Sequence, residues 1–64
     1  MDELLTLRET AKRLNVPEAT LRWWRHRHEG PKGFRAGRRV FYRASDVENW
    51  IEGRIAAEER GRIA

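Results

Sequence analysis

A run of arginines occupies the middle third of this 64-residue chain, where one other basic and one acidic side chain accompany them. Residues 22–43 contain seven arginines, Lys32 and Glu29, a net charge of +7, whereas residues 1–21 carry −1 and residues 44–64 carry −2. The planar guanidinium group pairs well with phosphate oxygens and with the edge of guanine. A basic centre between weakly acidic ends indicates a surface that faces a polyanion, and nucleic acid is the first partner to consider.

Length and composition exclude several other classes of protein. A chain of this length forms one small domain, residues 1–64, which is too small for a large enclosed active site. The absence of cysteine excludes disulfides and thiolate metal sites and is typical of a reducing compartment. The sequence shows no signal peptide and no membrane span, so we expect a cytoplasmic protein. We predict no catalytic residue, no cofactor and no metal.

Two helices joined by a tight turn precede the basic segment. Thr6 and Glu9 form a capping-box pattern, which predicts a helix over residues 7–14 with Leu7, Ala11 and Leu14 on one face. Asn15 can adopt the left-handed conformation of a tight turn. Pro17 suits the start of a second helix over residues 18–28, which Gly30 and Pro31 would end as a glycine cap and a helix breaker.

A hairpin and a third helix complete the predicted fold. In residues 33–43, apolar Phe34, Val40 and Tyr42 alternate on either side of residues 36–38, which predicts two strands and a short turn. Ser45 then begins a second capping-box pattern, ahead of a helix from about Asp46 with Val47, Trp50, Ile51 and Ile55 at helical spacing. We expect a folded core over residues 4–55 and a helical extension or frayed tail over residues 56–64. The predicted fold is mainly α with a small β-hairpin, in the order of a winged helix-turn-helix.

Residues 4–51 resemble the excisionase-type, MerR-like and AlpA-like winged helix-turn-helix domains. The resemblance rests on TLRETAKRLNVPEATLRWW for the helix-turn-helix, GRRVFYR for the wing and SDVENWI for the closing helix, in this order and spacing. It implies a double-stranded DNA-binding protein, with the second helix in the major groove and the wing at the neighbouring minor groove. Asn15 stands where glycine is commonest in the family.

The two adjacent tryptophans of the second helix are expected to have different roles. At about 100° per residue, Trp24 lies on the same side as Leu21, so we predict that it packs in the core with Leu14, Val16, Leu21, Val47, Trp50 and Ile51. Trp23 faces the other way. It either lies on neighbouring surface side chains or packs against sugar, phosphate or a thymine methyl group of DNA, and we favour the contact with DNA.

The remaining predicted contacts come from the recognition helix and the wing. A charge run is often only a solvated face, but the clustering and the fold favour DNA contacts here. From the recognition helix we predict contacts by Thr20, Arg22, Trp23, Arg25, His26 and Arg27. In the wing we predict a turn made possible by Gly37 and minor-groove contacts by Arg38 and Arg39, at positions that the resemblance assigns to wing arginines. Arg35 and Lys32 are supporting candidates, and two solvated charges on a hairpin are the alternative for the wing.

Other interpretations of the same residues are weaker. His26 and His28 are two residues apart, so on a helix they face different directions and make a poor metal pair. The basic helix would also suit a membrane surface or an acidic protein, although the capping boxes favour a folded DNA-binding domain, and we expect no membrane partner.

The resemblance favours an excisionase that bends attachment-site DNA, with further copies of itself and an integrase as partners. Chain length agrees with an excisionase, because MerR-type regulators carry further domains, but an AlpA-like or MerR-like transcriptional regulator is the alternative.

Overall fold

Three helices and a three-stranded sheet make up the fold of the computed structural model, which describes residues 2–63. The elements in chain order are β1 (Leu4–Thr6), α1 (Leu7–Leu14), α2 (Glu18–His26), β2 (Gly33–Ala36), β3 (Arg39–Arg43) and α3 (Ala44–Ile63). This is the predicted winged helix-turn-helix, with α1 and α2 as the helix-turn-helix and β2–β3 as the wing. The predicted tail, residues 56–64, continues α3 as far as Ile63, and Ala64 lies outside the described residues.

The start and the end of α1 follow the sequence prediction. The backbone N–H of Glu9 donates to Thr6 Oγ1 over 3.1 Å, and the N–H of Thr6 donates to Glu9 Oε1 over 2.8 Å, which completes the capping box. Asn15 ends the helix in the left-handed region, at φ 58° and ψ 43°. Both termini of α1 are therefore fixed by local side chains and by one permissive turn residue.

The end of α2 differs from the prediction. The helix stops at His26, two residues early, and His28 rather than Gly30 takes the left-handed position that closes it, at φ 59°. The N–H of Glu29 donates to the Trp24 carbonyl and that of His28 to the Arg25 carbonyl, the hydrogen-bond pattern of a Schellman motif. Gly30 is needed for another reason: at φ 76° its Cα lies against Trp24, where an added Cβ would approach Cε3 to 3.0 Å.

The hairpin belongs to a larger sheet than the sequence predicts. The strand order is β1-β3-β2, all antiparallel, because residues 4–6 add a short strand beside β3. Gly37 and Arg38 form the two-residue loop, with Gly37 at φ 63°, as a tight turn requires. The two strands and the short turn are present as predicted, and the two-residue loop sets a register in which Phe34 pairs with Phe41, so that Phe34 lies on the opposite face from Val40 and Tyr42 and is 41% exposed.

The start of α3 also corrects a prediction. Ser45 is not the N-cap, since α3 begins at Ala44, directly after β3. The Ser45 hydroxyl donates to Asp2 Oδ2 over 2.6 Å and its backbone N–H donates to Asp2 Oδ1 over 3.1 Å, while the N–H of Ala44 donates to the Glu3 carbonyl. The segment before β1 thus supplies acceptors for the first N–H groups of α3, which the pairing of β1 with β3 makes possible.

The core takes one buried apolar side chain from each of five elements. These are Leu5, Ala11, Leu21, Tyr42 and Val47, from β1, α1, α2, β3 and α3. Trp24 packs against this core as predicted, half-buried, with its ring centroid 5.5 Å from that of Trp50. Trp23 is 55% exposed, so the adjacent tryptophans separate as the helical geometry predicts. In contrast, the sequence did not predict that Leu5 and Tyr42 lie at the centre of the core, and both are among the most buried residues.

Candidate nucleic-acid interface

An open groove of about 490 Å³ lies between the first turn of α1, the helix α2 and the wing. Five exposed arginines line it: Arg8, Arg22, Arg35, Arg38 and Arg39. Glu18 is the acidic residue of this lining. The fold therefore brings the predicted Arg22 of the helix and the predicted arginines of the wing to one cleft, although 13 or more positions separate them in sequence.

Arg8 is a member of this cleft that the sequence prediction missed. It lies in the first turn of α1, outside the basic segment, on a part of the chain with net negative charge. Its position follows from the pairing of β1 with β3, which sets the start of α1 beside the wing. A prediction of strand β1 from the sequence would have placed Arg8 there, but three residues are too few for a strand pattern to be recognised.

Two arginines of the basic segment form ion pairs with acidic residues three or four positions away in the sequence. Arg43 Nε donates to Asp46 Oδ2 over 2.9 Å and so links β3 to α3. Arg22 Nη2 lies 3.6 Å from Glu18 Oε1, one helical turn away within the groove. Both side chains of that second pair are substantially exposed, and such pairs contribute little to stability.

Trp23 forms an exposed cluster with His26, on the same helix, and with Arg27, the residue that follows the helix. The Trp23 and His26 rings stack with centroids 6.3 Å apart, and Arg27 Cζ lies 5.5 Å from the Trp23 ring centroid. Arg27 also pairs with Glu29 over 3.5 Å. The structure therefore brings together three of the predicted contact residues, here called the Trp23 cluster, and places them outside the lining of the arginine groove.

Arg25 and Lys32 occupy a different part of the surface. They line a concavity of about 440 Å³ formed by the end of α2 and the loop that follows it, together with His28, Glu29, Gly30, Pro31 and Gly33. Thr20, in the first turn of α2, is half-buried. Neither Arg25 nor Thr20 lines the groove that holds Arg22 and the wing arginines.

Tyr42 lies in the core beneath the base of the wing. Burial raises the pKa of its hydroxyl, and the positive charge of Arg25 acts in the opposite direction. Among the described residues that hydroxyl has no hydrogen-bond partner. Gly33 permits this placement, because a Cβ on Gly33 would lie 2.7 Å from Tyr42 Cε2. The ring of Tyr42 thus rests on the backbone of β2 and joins the wing to the core.

Comparison with known proteins identifies the family. A family described as a helix-turn-helix domain matches residues 4–55. The chain belongs to this helix-turn-helix domain family. Membership supports DNA as the partner of this helix-turn-helix domain, and families of this kind are typically non-enzymatic. Comparison with curated proteins gives no match, and neither does comparison with solved structures.

The described residues contain neither a metal-binding cluster nor a membrane-spanning helix. Within residues 2–63, no group of three or more His, Cys, Asp or Glu side chains is arranged to hold a metal ion. His28 lies beyond the end of α2, so it and His26 do not share the helix that the sequence predicted. No helix in the same range combines the length and apolar character needed to cross a membrane.

Proposed function

We propose that this helix-turn-helix domain binds specific double-stranded DNA sites with α2 in the major groove and the β2–β3 wing at the neighbouring minor groove. The observation that carries the proposal is the arginine groove, where side chains of α1, α2 and the wing converge on one face. Five guanidinium groups within one cleft suit the closely spaced phosphates of a DNA backbone. A concave basic surface also raises the local concentration of a polyanion and speeds its association.

Two groups of side chains would make different contacts with DNA, one to the phosphates and one to the bases and sugars. Arg8 and the wing arginines of the groove hold the phosphodiester backbone between the two DNA grooves, which fixes the register of α2 without reading sequence. The exposed face of α2, with Arg22 and the Trp23 cluster, then meets the base edges and the sugars. Arg38 in the loop and Arg39 at the start of β3 lie at the end of a narrow ribbon, which suits entry into a narrow minor groove.

Within this class we propose an excisionase role, in which the protein bends attachment-site DNA and assists an integrase. The resemblance of residues 4–51 to excisionase-type domains supports it, and the same resemblance covers small transcriptional regulators. A domain of this size reads only a short site, so we also propose that several copies bind side by side. Reconstituted excision with the integrase encoded nearest to this chain and its attachment-site DNA tests the role. Stimulation by the protein supports an excisionase, whereas site-specific binding without stimulation favours the regulator.

DNA binding itself is tested by titrating labelled duplexes at several salt concentrations. The affinity should fall linearly on a logarithmic plot against salt concentration, because bound arginines release counterions. Arg38→Ala and Arg39→Ala should each weaken binding. Binding that does not respond to salt, or wing variants with wild-type affinity, would contradict the proposal.

A further inference from the structure

We propose that Glu18 is a specificity-determining residue, whose carboxylate competes with DNA phosphate for Arg22 and so penalises binding to DNA of the wrong sequence. The inference rests on the proposed DNA-binding function and deepens it. Glu18 is the acidic side chain in the lining of a groove that otherwise carries five arginines. If the groove served only to increase the affinity for DNA, a neutral or basic residue at position 18 would give tighter binding than a glutamate.

The geometry places Glu18 in direct competition with a phosphate. Glu18 Oε1 lies 3.6 Å from Arg22 Nη2, and the two residues are one helical turn apart on α2. Their side chains are 44% and 65% exposed, so the ion pair opens to the solvent that DNA would displace. A phosphate that approaches Arg22 must therefore replace the carboxylate and bring a second negative charge close to it.

The cost of that replacement depends on the base pairs that α2 meets. On a mismatched site the Glu18 carboxylate is desolvated beside phosphates without a donor, which is unfavourable. On a matched site it can accept a hydrogen bond from the exocyclic amino group of a cytosine in the major groove, while Arg22 turns to a guanine edge or a phosphate. The first turn of a recognition helix is the part that contacts base edges, and Glu18 is the first residue of α2.

The chain contains a matched pair that serves as the control. Arg54 and Glu58 have the same one-turn spacing on α3, with Arg54 Nη2 3.9 Å from Glu58 Oε1. That pair lies outside the arginine groove. Glu18→Gln and Glu58→Gln therefore change the net charge equally and break the same type of ion pair, but only the first does so inside the groove.

The experiment uses a duplex that the wild-type protein enriches from a random library, and a scrambled duplex of the same length. We expect Glu18→Gln to bind the scrambled duplex about threefold more tightly than the wild type. The ratio of the affinities for the selected and scrambled duplexes should fall about tenfold, because the neutral amide oxygen accepts a weaker hydrogen bond from the cytosine amino group than the carboxylate does. Glu58→Gln should change this ratio by less than about twofold. Thermal melting by circular dichroism checks that both variants are folded.

The possible failures are distinguishable. A wild-type protein that enriches no duplex would overturn the proposed function, and this inference with it. A wild-type protein that enriches a site, together with a Glu18→Gln variant of unchanged affinity ratio, would overturn the inference about Glu18 alone. Equal effects of Glu18→Gln and Glu58→Gln would also overturn it, since net charge would then explain both.

Discussion

The ring of Tyr42 lies directly against the backbone of Gly33, its partner across β2 and β3, so closely that a Cβ on Gly33 would be 2.7 Å from Tyr42 Cε2. Tyr42 is fully buried and cannot move aside without disturbing Leu21 and Val47 in the same core cluster. This contact is the point at which the wing, with its arginines, is attached to the core. The orientation of the wing relative to α2 therefore depends on a glycine outside the groove itself.

Substitution of Gly33 should show how tightly the wing is attached. We expect Gly33→Ala to destabilise the protein by about 1–3 kcal/mol, because an overpacked core must shift. Gly53→Ala is the matched control: Gly53 lies in α3 with nothing within 4 Å of an added Cβ, so alanine should stabilise the helix by about 0.5–1 kcal/mol. Chemical denaturation of both variants measures the difference. Equal effects of the two substitutions would contradict the packing argument.

The adjacent tryptophans should respond to substitution in opposite ways. Trp24→Ala removes a ring that packs against Trp50 and the core, so we expect a loss of about 3 kcal/mol in the free energy of unfolding. Trp23→Ala removes a mostly exposed ring, so we expect less than about 1 kcal/mol in stability and about a fivefold loss in DNA affinity. Denaturation and DNA titration on the same samples separate the two effects. A Trp23→Ala variant with wild-type DNA affinity would show that the ring only lies on its surface neighbours.

Asp2 should make the stability of the fold depend on pH in the acid range. The hydrogen bonds from Ser45 lower the pKa of Asp2 below its ordinary value of 3.8, chiefly through the Ser45 hydroxyl. The carboxylate therefore contributes stability above about pH 3.8, and this contribution is lost as the pH falls towards the lower pKa of the folded state. Asp2→Ala should melt at a lower temperature than the wild type at pH 7, and the difference in melting temperature should shrink as the pH is lowered below 3.8. Glu3→Gln is the control. The Glu3 carboxylate forms an exposed ion pair with Arg13 at 3.8 Å, and such pairs contribute little to stability, so this variant should melt close to the wild type.

Arg8 gives a test of the groove that does not involve the predicted recognition helix or wing. If its guanidinium neutralises one phosphate, Arg8→Ala should reduce the slope of the logarithm of affinity against the logarithm of salt concentration by about 0.9. Lys12→Ala removes one positive charge from the same helix outside the groove lining, and it should leave the slope unchanged. A decrease of the same size in both variants would mean that net charge, and not the groove, sets the salt dependence.

Local signals in the sequence predicted most of the fold. The capping box of Thr6 and Glu9, the left-handed Asn15 and the turn at Gly37 each depend on neighbouring residues, and all three are present in the structure. The failed prediction at the start of α3 depends on a residue distant in sequence, whereas the error at the end of α2 is local, because His28 rather than Gly30 takes the left-handed position. Ser45 was expected to cap its own helix, but β1 brings Asp2 to it from 43 positions away. The same strand, too short to be recognised, also explains why Leu5 and Arg8 were missed.

The same difference between local and distant signals applies to the candidate site. Helical periodicity alone predicted that Trp24 packs inward and Trp23 outward, because both lie on one regular element. Helical periodicity did not predict that Arg22 shares a groove with Arg35 and the wing loop. Nor did it predict that Arg25 lines a separate concavity. That division depends on how α2 packs against the sheet, where Leu21 and Tyr42 belong to the same buried cluster. The DNA contacts themselves remain predictions.

The most direct test of the central claim is the salt dependence of binding to a selected duplex, compared between the wild type and the double variant Arg38→Ala/Arg39→Ala. We predict that the wild-type affinity falls steeply with salt and that the double variant binds more weakly. Its slope should be smaller by about 1.8, one phosphate contact for each arginine. A wild-type affinity that does not change with salt, or a double variant with the affinity and slope of the wild type, would contradict the account.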